Sequence, residues 1–224
     1  MVYCAQIGES FMDRKTNTAS DQTKFALAAA LKELMAQKPF DRITIHDLTE
    51  RCGIRRQTFY YHFEDAFDLL RWMFQEEAVA LLKQHEGTLL WQEGLLQLLH
   101  YIENNRAVCL SALRSVGREH LKRFFQADIY AVIHRVVEQI GTDVGAIQAG
   151  VTPDDIALLT HIYVVASTGV VESWLLGEID RTPEELVAFA DQMLQDHIQG
   201  AQLRWQAAAG TAEASASCPT FAPE

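Results

Sequence analysis

Between Arg55 and His62 the chain runs Arg-Arg-Gln-Thr-Phe-Tyr-Tyr-His. Read as a helix from about Arg55, this stretch turns Phe59 and Phe63 to one side. Gln57 and Tyr61 lie on the other, flanked by Thr58 and Tyr60, with Arg56 and His62 at the two ends. Guanidinium and carboxamide groups reach base edges, whereas hydroxyl and imidazole groups reach phosphate oxygens. A helix of barely two turns with that surface suits lying against DNA. Plain solvation does not explain why two adjacent tyrosines and a His are spent on an exposed side.

The elements that must position this face are legible on either side of it. Ile45, Leu48 and Cys52 recur at helical spacing, with Thr44 as N-cap and Asp47 three positions on, a weak capping box. Gly53 closes that helix, because glycine enters the left-handed region without steric cost. Ahead of it, Thr23 to Lys38 reads as a first helix with Leu27, Leu31, Leu34 and Met35 on one face and Pro39 as the stop. Phe40 and Ile43 close the core between the two. His46 faces outward, where phosphate contact and surface decoration are both open.

The string TIHDLTERCGIRRQTFYYHF, residues 44–63, resembles the helix-turn-helix of TetR-family transcription regulators. The longer string RQTFYYHFEDAFDLLRWMF is more particularly similar to regulators of the dihydroxyacetone-kinase (DhaS-like) type. The resemblance implies a three-helix DNA-binding head and a helical regulatory and dimerisation domain. It makes Thr44, Arg55, Arg56, Gln57, Thr58, Tyr60, Tyr61 and His62 the DNA-binding residues, Thr44 touching phosphate through its hydroxyl and the adjacent amide. It also implies a double-stranded operator, a homodimer, and control by a small molecule or by a kinase-subunit-like co-activator protein. One departure matters: where the family usually carries a phosphate-binding Lys, this chain has Glu64-Asp65-Ala66.

The chain has 224 residues, 49% of them apolar, and a net charge of −11. That charge argues against nucleic acid until it is divided. Residues 13–63 hold nine Lys/Arg and six Asp/Glu, a balance of +3, whereas residues 64–224 hold ten and twenty-three, a balance of −13. The basic share therefore lies with the hairpin. No apolar run is read as reaching the ~18 residues of a membrane span, and the start has no signal-peptide pattern. Cys4, Cys52, Cys109 and Cys218 are far apart, which fits a reducing cytoplasm and not a disulfide framework or zinc site. No phosphate loop, nucleophile elbow or metal-ligand spacing is present, so neither catalysis nor a cofactor is expected.

The remainder reads as helices: 66–83 opened by Asp65, 91–104, 107–116, 119–140, 153–176 and 183–205. The last two begin with Thr152-Pro153-Asp154-Asp155 and Thr182-Pro183-Glu184-Glu185. The expectation is an all-α chain of about nine helices. A flexible arm covers 1–21, the helix-turn-helix domain 22–66, the regulatory and dimerisation domain 67–205, and a disordered tail 206–224. Tyr101, Arg114, Tyr130, His134 and His161 are the residues that could line an effector pocket. The plainer alternative of exposed faces, salt bridges and a packed core His stays open for them. Ala166 to Gly169 form a small-residue patch, so Val165, Gly169, Val170, Trp174, Phe189 and Met193 are expected at a two-fold interface between the last two helices of each copy.

Overall fold

The computed structural model describes residues 19–84, 91–116, 118–146 and 148–216. Among these the chain is all helix, with nine elements: α1 (Ala19–Met35), α2 (Ile45–Cys52), α3 (Arg56–His62), α4, α5 (Trp91–Asn104), α6 (Arg106–Val116), α7 (Arg118–Asp143), α8 (Pro153–Leu176) and α9 (Pro183–Ala216). Helix α4 runs Ala66–Phe74, passes through a π-helical turn at Gln75–Val79 and continues as Ala80–Gln84. Met1, Met12, Cys4 and Cys218 lie outside the described residues.

Three boundaries differ from the sequence reading. Helix α1 begins at Ala19, inside the expected arm, since Ala-Ser-Asp-Gln offers an acidic first turn and no helix breaker. Helix α9 continues to Ala216, so residues 206–216 are not a tail without structure. The run AAAG and the alanines after it lack large apolar groups, yet alanine is the best helix former. The chain also divides later than Glu64–Phe67. One compact unit comprises the residues up to Ala78 with those from Asn105 to Phe124, and the other comprises Val79–Asn104 and Phe125 onward.

In the first unit α1 packs on α2, α4 and α6, while a 3-10 turn at Phe40–Arg42 packs on α6. The Phe40 amide donates to Ser111 Oγ at 3.1 Å. Leu27, Leu31, Leu48, Phe59, Leu69 and Met73 are fully buried, each aliphatic side chain contributing roughly 1.5–3 kcal/mol. The periodic positions singled out in α1 and α2 are thus the core of this unit, and α6 joins it from far along the sequence.

The second unit is built around Leu99, Trp174 and Val187, against which Leu95, Leu96, Ile102, Val171, Ile179 and Leu186 pack. Thr152 and Asp155 cap α8 reciprocally, and Gly177 ends it at φ 81°. Helix α8 has 24 residues and a mean hydropathy of 1.4, long and apolar enough to cross a membrane by length and composition. The expectation that no segment reaches that size is corrected to this extent. Two of its polar groups are tied within the unit: the hydroxyl of Thr160 meets His134 Nδ1 at 3.2 Å, and that of Tyr163 meets His197 Nδ1 at 2.6 Å.

Candidate nucleic-acid interface

Helix α2 is fixed at both ends by its own sequence. The Thr44 hydroxyl accepts from the Asp47 amide at 3.2 Å, and the Asp47 carboxylate accepts from the Thr44 amide at 2.7 Å. That carboxylate also receives the Thr44 hydroxyl proton at 2.8 Å and the Lys38 ammonium at 2.7 Å. With the Lys38 bond as the largest cause and the Thr44 bonds next, its pKa is held far below the usual carboxylate range. The box is therefore complete, where the sequence alone suggested a weak one. At the other end Gly53 takes φ 63°, and the amides of Gly53 and Ile54 donate to Glu50 and Thr49 carbonyls.

The left-handed step at Gly53 launches α3 after one extended residue, Arg55. Phe59 is fully buried and Phe63 nearly so, their rings 6.0 Å apart, and Phe63 continues into Trp72 of α4 at 5.7 Å. This aromatic row anchors one side of α3 and leaves the other in solvent. Arg55, Arg56, Gln57, Tyr60 and Tyr61 are exposed, Tyr61 at 82%, while Thr58 and His62 are half-buried. The structure thus brings all eight expected contact residues to the α2–α3 hairpin.

Two pairs among them also engage each other. Arg56 donates through Nη2 and Nε to the Tyr60 hydroxyl at 2.9 and 3.3 Å and lies over its ring at 5.4 Å, so Tyr60 orients a guanidinium as well as presenting a hydroxyl. His62 is edge-on to Tyr61 at 5.0 Å. Burial, then the charge of Lys24, lower its pKa, with Asp21 opposing, so a neutral imidazole is presented near pH 7. His46 stands exposed, 3.8 Å from Glu50.

Three cations of the first unit are spent internally. Lys32 pairs with Glu77 at 2.6 Å, Lys38 with Asp47, and Arg51 with Glu33 through two nitrogens. Arg42, Arg55, Arg56 and Lys24 form no ion pair among the described residues. At α4, the position of the absent family Lys, Asp65 caps the helix by accepting from the Asp68 amide at 2.8 Å. Asp68 in turn accepts from the Glu64 amide at 3.2 Å. Lys24 and Arg42 were not singled out from the sequence. Only a census of which cations already have partners brings them forward.

The residues expected to line an effector pocket are not gathered as one set. Arg114 is exposed on the first unit. In the second, Tyr130 stacks on His134 at 5.5 Å beside the buried Thr160, Tyr101 is half-buried and His161 is exposed. Of the six expected interface residues, Val165, Val170, Phe189 and Met193 are exposed apolar side chains, and a Cβ added at Gly169 would meet nothing within 4 Å. Trp174 is the correction: it is 4% exposed in the core of its own chain, and its indole N–H donates to the Arg181 carbonyl at 2.8 Å. Leu158, Ile162 and Leu203 extend the exposed set beyond what was expected.

Comparison with known proteins completes the assignment. Residues 27–71 match the family described as bacterial regulatory proteins, tetR family, and residues 90–196 match a transcriptional regulator C-terminal region. The dhaKLM operon transcriptional activator DhaS of Lactococcus lactis subsp. lactis (strain IL1403) is 34% identical over 84 residues, 38% of this chain and 45% of that protein. The HTH-type regulator YxbF of Bacillus subtilis (strain 168) is 32% identical over 76 residues, 34% of this chain and 20% of that protein. The chain thus spans less than half the length of these curated relatives. Among solved structures, the dihydroxyacetone kinase operon activator DhaS superposes with a TM-score of 0.61 at 23% identity, covering 79% of this chain and 96% of that one. NalD, a secondary repressor of the MexAB-OprM efflux pump in Pseudomonas aeruginosa, gives 0.52 at 15% identity, covering 83% and 97%. These two likenesses speak to fold alone. With a TetR head and a regulator C-terminal region matched along one chain, the protein belongs to the TetR family of bacterial transcriptional regulators, as a DhaS-like member and not an enzyme.

Proposed function

We propose that the protein is a cytoplasmic, dimeric, sequence-specific DNA-binding regulator whose two α3 helices read successive major-groove faces of an operator. The observation that carries this reading is the exposed row Arg56, Gln57, Tyr60 and Tyr61 on a helix whose other side is locked by Phe59 and Phe63. Arg55, Arg56 and Gln57 supply base-edge donors. Thr44, Thr58, Tyr60, Tyr61 and His62 supply backbone contacts. Dimerisation uses Val165, Gly169, Val170, Phe189 and Met193. Leu158, Ile162, Val165 and Gly169 follow one another at four-three-four spacing, as packed helices require, and Leu203 prolongs the matching face of α9. Control comes through the second unit, by a small molecule or by a partner protein.

The experiment is binding selection from random-sequence duplexes with wild-type protein, followed by gel shifts on the enriched sequence. Enrichment of a two-fold symmetric site supports the reading, and no enrichment beyond bulk duplex refutes it. A second reading is favoured by the relative named as an activator: regulation in which a co-activator protein is the main partner. A gel shift that appears only when a dihydroxyacetone-kinase-subunit-like protein is added would select it.

A further inference from the structure

We propose that Lys24 is a DNA-backbone contact, its ammonium meeting a phosphate beside His62 and supplying the anchor that position 66 lacks. The inference rests on the DNA-binding reading above and adds a residue from α1 to the interface. Lys24 is half-buried, its ammonium over the Trp72 ring with Nζ 5.8 Å from the ring centre. Trp72 is itself held by Phe25 at 5.1 Å and by Phe63 at 5.7 Å, so the platform under the lysine is continuous with the aromatic row that fixes α3. At that distance the ring face attracts the ammonium, and the half-buried side chain keeps part of its surface in water, open to a phosphate.

The head of Lys24 is also beside the right neighbour. The ring beneath Lys24 leads to the end of α3: Trp72 lies 5.7 Å from Phe63 and Phe63 6.4 Å from His62, whose imidazole feels the lysine's charge. Because His62 is neutral near pH 7, the two donors do not repel, and one phosphate could accept from both. Asp21 is the opposing charge at this spot. Lys24 forms no ion pair among the described residues, unlike Lys32, Lys38 and Arg51. At the start of α4, Glu64, Asp65 and Asp68 offer only carboxylates and backbone groups already bonded to them. These groups offer a phosphate no cation, whereas Lys24, outside any ion pair among the described residues, stands over Trp72 of the same helix.

The test is the salt dependence of binding to a mixed-sequence duplex of about thirty base pairs, read by fluorescence anisotropy between about 50 and 200 mM salt. Lys24→Met keeps an unbranched apolar side chain beside Trp72 and deletes the charge. Its log–log slope should be shallower than wild type by about 0.9, so that across this range the wild type loses about three- to fourfold more affinity than the variant. Lys24→Arg should restore the wild-type slope. Circular dichroism on each variant verifies the helical fold, and the arginine variant keeps the comparison decisive if the methionine one melts early. Wild-type slope in Lys24→Met, with wild-type protein binding normally, overturns the inference and leaves the DNA-binding reading standing. Absence of salt-dependent binding by wild-type protein overturns both.

Discussion

Gly169 offers a perturbation whose effects on the protomer and on the dimer have opposite signs. Within one chain a Cβ at this position meets no heavy atom within 4 Å, and the residue lies in the interior of α8. Replacing a mid-helix glycine by leucine should therefore stabilise the folded protomer, by up to about 1 kcal/mol from helix propensity. Against a second copy the same change is an obstruction. Ala166, Ser167 and Gly169 form the low part of a face flanked by the exposed Val165, Val170, Phe189 and Met193. Overpacking costs roughly 1–3 kcal/mol per site, and two-fold symmetry doubles it. A total of about 2–6 kcal/mol weakens the dimer by about thirtyfold at the low end and more than ten-thousandfold at the high end. Sedimentation equilibrium over a concentration series measures the dimer constant. Thermal melts of dilute samples, in which wild type and variant are both dissociated, measure the protomer, since melting of a dimer depends on concentration. A dimer constant unchanged in Gly169→Leu would remove α8 from the interface. A protomer that melts earlier would show that position 169 is packed inside its own chain.

Other expectations concern the hairpin and the core. Gln57→Ala should cost about 1–3 kcal/mol on the selected operator and relax preference at one or two base pairs, with little change on random duplex; equal losses on both would remove its base-reading role. Tyr60→Phe keeps the ring under Arg56 but deletes the hydroxyl that accepts from it, so random duplex should weaken by about 1 kcal/mol through the lost backbone contact and the selected operator by at least as much, since Arg56 also loses its orienting partner; unchanged binding to random duplex in competition gel shifts would remove the backbone role. Ala66→Lys should tighten binding to both kinds of duplex and steepen the salt slope by about one unit, and an unchanged slope would show that residue 66 faces no phosphate. Burial pushes the Cys109 thiol up to about 12, so in a variant with Cys4, Cys52 and Cys218 changed to Ser it should react with maleimide at pH 8 only as fast as the chain opens. The sign for stability follows: the unfolded thiol ionises near its ordinary 9.0 while the folded one stays protonated, so stability is lost as pH climbs from there toward about 12.

What was legible in the sequence were features whose physics is local. Thr44, Asp47 and Gly53 bound α2 through their own backbone and side-chain geometry, and Thr152-Pro153 and Thr182-Pro183 open α8 and α9 in the same way. The exposed face of α3 followed from the spacing of Phe59 and Phe63 alone. What was not legible depends on partners distant in sequence. Trp174 sits among apolar neighbours that would suit an interface or a core equally, and only its packing on Leu99 and Val187 decides. The pairing of Lys32 with Glu77, 45 positions away, and the joining of α6 to α1 are contacts that no local pattern announces. The extension of α9 failed for another reason: absence of large apolar groups was read as absence of structure, although alanine needs no packing to favour a helix.

The capping of the helices and the weakness expected of phosphate binding are one phenomenon. A helix N-terminus attracts anions because its first amides lack partners. At α2 that attraction is met by Asp47, which takes the Thr44 amide and hydroxyl proton together, and at α4 by Asp65 and Asp68. Each carboxylate stabilises its helix and stands where a backbone phosphate would otherwise gain. A phosphate approaching Thr44 must therefore use the remaining first-turn amides or displace a carboxylate that Lys38 also holds. If the head binds DNA as proposed, the cations outside ion pairs among the described residues of α1 to α3, Lys24, Arg42, Arg55 and Arg56, would carry its electrostatic hold, and so few predict weak binding by one head at physiological salt. Joining two heads makes the second engagement intramolecular, which raises affinity without any new contact. On the proposed DNA-binding reading, two heads joined through the exposed apolar face of α8 and α9 would offset the few phosphate contacts that each one makes.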